Sequence, residues 1–206
     1  CAVPGMTIAG KPAYLYSAWN PKVVARHFQW MKEYGLDGVL MQRFVTTIAR
    51  KRTSGDVVLK NVLAAAAATG RIVAIEYDVT GSNLATFVDV IKEDWKYLVD
   101  ELKITAHPGY LHHNGKPVLF VWGFYSDRFD AAIAHELIDF LKSDEKYGVT
   151  LIGGCPWSWR QERHPEWAKV YRRFDVISPW NVGNVTKIDG QKQASTGFWK
   201  DDLKVA

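Results

Sequence analysis

Two cysteines, Cys1 and Cys155, are all that the 206 residues contain, so no disulfide framework is expected. No apolar run approaches the roughly 18 residues of a membrane-crossing helix, so no membrane span is expected. The net charge of +4 is modest, and basic residues are scattered apart from Arg50-Lys51-Arg52 and Arg172-Arg173. With no basic stripe and no nucleic-acid motif, these read as a solvated surface and no nucleic-acid partner is expected. No G-x-G-x-x-G follows an early strand: Met41 leads into Gln42-Arg43-Phe44-Val45, and Gly81 stands alone after Asp78-Val79-Thr80. A dinucleotide-binding loop is therefore disfavoured. His107, His112 and His113 share one loop, but adjacent histidines point apart and no H-x-H, H-E-x-x-H or Cys-His spacing is present. Neither a metal nor a cofactor is expected.

What is present is a beat. Five times a short β-branched stretch leads to a polar or aromatic tip and then to an amphipathic helix. The tips are Gln42-Arg43-Phe44, Glu76-Tyr77-Asp78, Trp122-Gly123-Phe124, Pro156-Trp157-Ser158-Trp159-Arg160 and Pro179-Trp180-Asn181. Helix punctuation supports the count. Asn20-Pro21 is an N-cap with proline at the first helical position, Val24, Phe28 and Met31 share a face, and Gly35 stops the helix. Further helices are expected on Val58 to Ala68, on Phe87, Ile91, Trp95, Leu98 and Leu102, on Ile133 to Leu141, and from His164-Pro165 through Val170. Strands are expected at 36–41, 71–77, 117–122, 149–153 and 176–178. Trp30, Trp95 and Trp167 have helical spacing and read as core, and Cys155 reads as a small buried residue.

Repeated strand-loop-helix units give parallel strands whose carboxyl ends face one way, so the tips converge on one site. Such units could form an open doubly wound sheet or most of a barrel. Bulky functional-looking residues at every strand end suit the barrel. The expected fold is therefore α/β, a (β/α)8 TIM-barrel type that is incomplete, with about five of the eight units. One partial domain over 1–206 is expected, with a leader at 1–13 and a tail at 186–206. Cys1 stands where a natural chain would open with methionine, which suggests a fragment or trimmed chain, or else the lipidated cysteine of a lipoprotein.

The converging groups are aromatic, amide, guanidinium and carboxylate, a set that suits a sugar better than a phosphate or a metal. The candidate substrate-binding residues are Gln42, Arg43, Glu76, Tyr77, Asp78, Trp122, Trp159, Arg160, Trp180 and Asn181. A flat indole can stack on the apolar face of a pyranose and donate one hydrogen bond. Glu76 and Asp78, two apart on a strand, share a face with Cα atoms about 6.6 Å apart. Glycosidases need carboxyls about 5–5.5 Å apart for retention or 6.5–9.5 Å for inversion. Two carboxylates on one strand would struggle to straddle a bond, so this pair is a weak catalytic candidate. Glu76 is more simply a binder of sugar hydroxyls or a partner of Arg43, and Arg160 a partner of a carboxylate such as Asp78.

Several segments carry a family resemblance. These are Tyr16-Ser17-Ala18 with the run from Arg26 to Phe44, Ile75-Glu76-Tyr77-Asp78-Val79-Thr80-Gly81, Asp94-Trp95, and Tyr110 to Val118. Further on come Val121-Trp122-Gly123-Phe124, Gly153 to Arg160 and Phe174 to Gly183. In this order and approximate spacing they resemble the glycoside hydrolase family 71 and 99-like proteins of the xylosidase and arabinosidase group, from about Tyr14 to Val185. The resemblance implies a barrel acting on glycans, and export to a secreted or periplasmic location. It implies that Glu76 lines the site beside the catalytic pair, although many relatives have an apolar residue there. The paired catalytic glutamates of family 99 come from a late segment with no counterpart here, so they are not carried over. Against the family pattern the first, seventh and eighth strands are also missing, which leads to the expectation of exposed barrel edges and self-association.

Three functions remain open: hydrolysis of O-glycosidic bonds by the full-length form, carbohydrate binding by a non-catalytic or inactive chain, and a metal-dependent barrel hydrolase.

Overall fold

The computed structural model describes residues 2–143 and 145–205; Cys1, on which the lipoprotein expectation rests, lies outside them. The chain opens with a hairpin of β1 (Ala2–Ile8) and β2 (Lys11–Tyr14), in the segment expected as a leader. Five parallel strands follow: β3 (Gly38–Phe44), β4 (Ile72–Asp78), β6 (Lys116–Trp122), β7 (Thr150–Pro156) and β8 (Val176–Trp180). The two-residue β5 (His112–His113) is attached to β6 antiparallel. The helices are α1 (Pro21–Glu33), α2 (Ile48–Thr69), α3 (Phe87–Asp100), α4 (Ala131–Ser143) and α5 (Pro165–Tyr171). The expected tail holds a second hairpin, β9 (Val185–Ile188) with β10 (Gln191–Ala194), and α6 (Trp199–Val205).

The sheet runs β3-β4-β6-β7-β8 in chain order and does not close. This is a partial TIM-barrel-like α/β fold, with β3 and β8 as its edges among the described residues. The core lies on the helix side. Ile75, Tyr77, Leu119, Val121, Leu151 and Cys155 pack there with Ile91, Trp95 and Leu98 of α3 and Leu137, Ile138 and Leu141 of α4. Each large apolar side chain so buried contributes about 1.5–3 kcal/mol.

The punctuation acts as read at α1, where the Asn20 side chain accepts from the Lys22 amide at 3.0 Å. Trp95 and Trp167 are buried, but Trp30 is 48% exposed and stacks on His27 at 5.7 Å. The core expectation for Trp30 is thus corrected. Val24 and Phe28 form the buried stripe of α1, and a residue two past Phe28 lies on the far side of a helix with 3.6 residues per turn.

Candidate functional site

Side chains alternate across a strand, and the register decides which of them meet. On the face away from the helices, Gln42 is paired with Glu76 and Phe44 with Asp78. Asp78 is paired with Trp122, Trp122 with Gly154, Gly154 with Ser178 and Pro156 with Trp180. One surface at the carboxyl ends of the strands therefore carries Gln42, Glu76, Asp78, Trp122 and Trp180. The Gln42 amide nitrogen donates to Asp78 Oδ2 at 2.8 Å, and the Thr80 amide donates to Asp78 Oδ1 at 2.8 Å. Both Asp78 oxygens are thereby fixed in place. The Trp122 and Trp180 rings lie 5.0 Å apart, tilted by 54°, and Tyr125 meets Trp122 edge-on at 5.7 Å.

Glu76 is the free group of this surface. Its side chain is half-buried and makes no hydrogen bond or ion pair among the described residues. Burial raises its pKa above the ordinary carboxyl value, and the charge of Asp78 adds to the rise. A raised acid costs the fold nothing while it is protonated in both states. The cost begins as pH climbs past the unfolded value, about 4.3, and is complete once the folded carboxyl has ionised. Glu76→Gln is therefore expected to melt above the parent near pH 7, with the two curves converging below about pH 4. Melts across that range check this; equal melting near pH 7 would mean that the carboxylate is fully solvated.

Arg43 and Tyr77 do not join this surface, because each follows a residue that does and so points to the helix side. Arg43 is 6% exposed and grips Asp94 of α3 with two bonds, Nε to Oδ2 at 2.9 Å and Nη2 to Oδ1 at 2.8 Å. Its Nη1 reaches Asp56 Oδ1 at 3.2 Å. The Tyr77 hydroxyl donates to Asp94 Oδ2 at 2.7 Å, and burial, with Asp94 adding, pushes its pKa well above the usual phenol range. The partner of Arg43 is thus Asp94 rather than Glu76, which faces the opposite way. Trp159 is buried, and its indole nitrogen finds no hydrogen-bond partner among the described residues. Arg160 donates through Nε to Asp202 Oδ1 of α6 at 2.9 Å rather than to Asp78, and Phe198 packs at a tilt against neighbouring Trp157, with ring centres 5.1 Å apart. Asn181 Oδ1 is buried and unpaired among the described residues.

One contributor was not anticipated. A Cβ on Gly154 would lie 2.3 Å from Trp122 Cε3, so the bare backbone is what lets Trp122 lie down across β7. On the other face a Cβ on Gly153 would lie 2.2 Å from Phe174 Cδ2. A Gly-Gly pair inside a strand signals close approach on both faces, and this sign was in the sequence. Among the described residues no three His, Cys, Asp or Glu side chains form a metal-holding group, and no helix is long and apolar enough to cross a membrane.

The fold is shared with a GH99 endo-alpha-mannosidase. The solved structure of that enzyme from Bacteroides thetaiotaomicron in complex with BIS-TRIS-Propane superposes with a TM-score of 0.68 at 17% identity, over 92% of this chain and 54% of that one. A second structure of the GH99 endo-alpha-mannosidase from Bacteroides thetaiotaomicron gives 0.65 at 15% identity, over 92% and 51%. The chain thus spans about half the length of the solved structures it matches. No protein-family model and no curated protein sequence matches it.

Proposed function

We propose that this chain forms the glycan-holding wall of a glycoside-hydrolase-type barrel and that the full-length protein hydrolyses O-glycosidic bonds. The observation that carries the reading is the Trp122-Trp180 platform beside Gln42, Glu76 and Asp78. Two tilted indoles offer flat apolar faces to a sugar ring, while the amide and carboxylates meet its hydroxyls. The family 71 and 99-like motifs support the same reading, and the fold neighbours make α-linked mannosides the first glycans to try. Of the two carboxylates Glu76 is the better placed for proton chemistry, being unpaired and raised in pKa.

A second reading, binding without hydrolysis, is favoured by one observation: Glu76 and Asp78 share a strand and a face, whereas glycosidic hydrolysis needs carboxyls that flank the bond. Titration of α-manno-oligosaccharides followed by tryptophan emission tests both readings. Trp122→Ala and Trp180→Ala are each expected to weaken binding roughly three- to tenfold, from the worth of one aromatic contact. Undiminished affinity in both variants would remove the platform from the argument. Turnover that Glu76→Gln abolishes while binding persists would assign hydrolysis; binding with no turnover would select the second reading.

The same surface suggests self-association. Leu40, Phe44, Val176 and Trp180 are 40–50% exposed on or beside the two sheet edges. Open edges and apolar patches invite pairing with another copy. The chain is expected to bind a hydrophobic dye and to sediment as more than one species at high concentration. A single dye-silent monomer would show that these edges are satisfied.

A further inference from the structure

The basic run Arg50-Lys51-Arg52 is not used by the surface just described, yet two of its members reach a cavity beside it. This cavity, of about 220 Å³, lies at the carboxyl end of β3 and the start of α2. Its lining includes Gln42, Arg43, Lys51, Arg52, Ser54 and Thr47, and no carboxylate. Arg43 is already matched by Asp94 and Asp56. Lys51 has no ion pair or hydrogen bond among the described residues, and there α2 departs from helical geometry, at φ −125° and ψ 15°. The Arg52 guanidinium is steadied 4.8 Å over the Tyr97 ring, and its Nε, 3.5 Å from Asp94 Oδ1, is buried without a hydrogen bond. Ser54 Oγ accepts from the Trp19 indole at 3.0 Å, which leaves its own proton to give. Donors and positive charge thus share the walls of a space of several water volumes, at about 30 Å³ each, with the apolar side chains of Met41, Phe44, Ile48 and Val58.

We propose that this cavity takes the anionic substituent of an acidic sugar, a carboxylate, sulfate or phosphate. The substituent is held by Lys51, Arg52 and Ser54 while the ring lies toward Gln42 and Asp78. Gln42 joins the two places, since it lines the cavity and donates to Asp78 at 2.8 Å. The assignment rests on the glycan reading and narrows it to anionic glycans. Charge-assisted hydrogen bonds are shorter and roughly twice as strong as neutral ones, so the substituent adds affinity that a neutral sugar lacks.

The test titrates the full chain at low salt with matched oligosaccharides, one neutral and one carrying a uronic acid, and with inorganic sulfate alone. The acidic sugar is expected to bind about tenfold more tightly, with the gap narrowing as added salt screens the site. Lys51 is exposed and unpaired among the described residues, so Lys51→Gln leaves the buried contacts of the fold in place, and it is expected to bring the two sugars together. Equal binding of both sugars, unaltered by Lys51→Gln, would overturn the proposal and leave the glycan reading standing. Binding of neither sugar would remove both, even if sulfate alone were held in a Lys51-dependent way.

Discussion

Asp94→Ala is expected to destabilise the chain by about 3–5 kcal/mol, the cost of stripping one partner from a buried ion pair. Asp94 is fully buried and accepts three hydrogen bonds, two from Arg43 and one from Tyr77. Its removal leaves the Arg43 guanidinium with Asp56 as its remaining acid and the Tyr77 hydroxyl without its acceptor, while Arg52 stands close by with a further positive charge. Asn at this position keeps the shape but not the charge, so Asp94→Asn should fall between. The informative control is Arg43→Met with Asp94→Leu. Replacing both partners by apolar groups removes the buried pair together, with Asp56 and Arg52 each losing a neighbour of opposite charge and Tyr77 its acceptor, so the double variant should still be less damaged than Asp94→Ala. Urea unfolding with an unchanged slope reads these differences directly. A loss below about 1 kcal/mol in Asp94→Ala would place the pair in the class of solvated surface bridges.

Gly154→Ala is expected to cost about 1–3 kcal/mol by overpacking and, more tellingly, to abolish the tryptophan response to sugar. The added carbon would sit 2.3 Å from Trp122 Cε3, 2.9 Å from Phe120 Cε2 and 3.0 Å from the Trp122 Cα. One of these contacts is backbone, so rotation of the ring alone does not relieve it. Trp122 must leave its place against Trp180 and Tyr125, and the stacking platform goes with it. Gly197→Ala is the matched control, because a Cβ there meets nothing within 4 Å and a surface change of this kind usually lies within about 0.5 kcal/mol. If Gly154→Ala proved as mild as Gly197→Ala, the close approach of β7 to Trp122 would not hold in solution.

The order of strands and helices could be read from punctuation because Asn20-Pro21, Gly35 and Gly70 act locally, within a turn of where they stand. The faces of the strands were harder. In a parallel sheet with a packed helix side, Ile72 to Asp78 shows no clean alternation of apolar and polar residues. Gln42 and Arg43, and likewise Glu76 and Tyr77, were therefore grouped as one site, although neighbours on a strand point to opposite faces. That rule alone would have separated them. The partner of Arg43 could not be found locally, since Asp94 comes from a helix three elements further on, in the order β3, α2, β4, α3, and looks, in sequence, like an ordinary polar residue beside Trp95. The hairpins were missed for a different reason. Asn114-Gly115 and Asp189-Gly190 are strong two-residue turn signals, and both pairs take positive φ as such turns require. The short polar strands around them, such as His112–His113 and Gln191–Ala194, carry no apolar alternation to confirm a strand.

The sheet's neighbours are also neighbours in the chain. Gly38 pairs with Ile72, Ile75 with Leu119, Val118 with Thr150 and Ile152 with Val176, each spanning a single helical crossover. Among the described residues, no strand of this sheet waits for a distant one. Assembly can then start at any one strand-helix-strand unit and grow outward in either direction, with one helical crossover to close at each step. A lesion in one unit would slow the joining of its own two strands and leave the far units free to form. Hydrogen exchange should accordingly fade unit by unit toward β3 and β8, the edges of the sheet among the described residues.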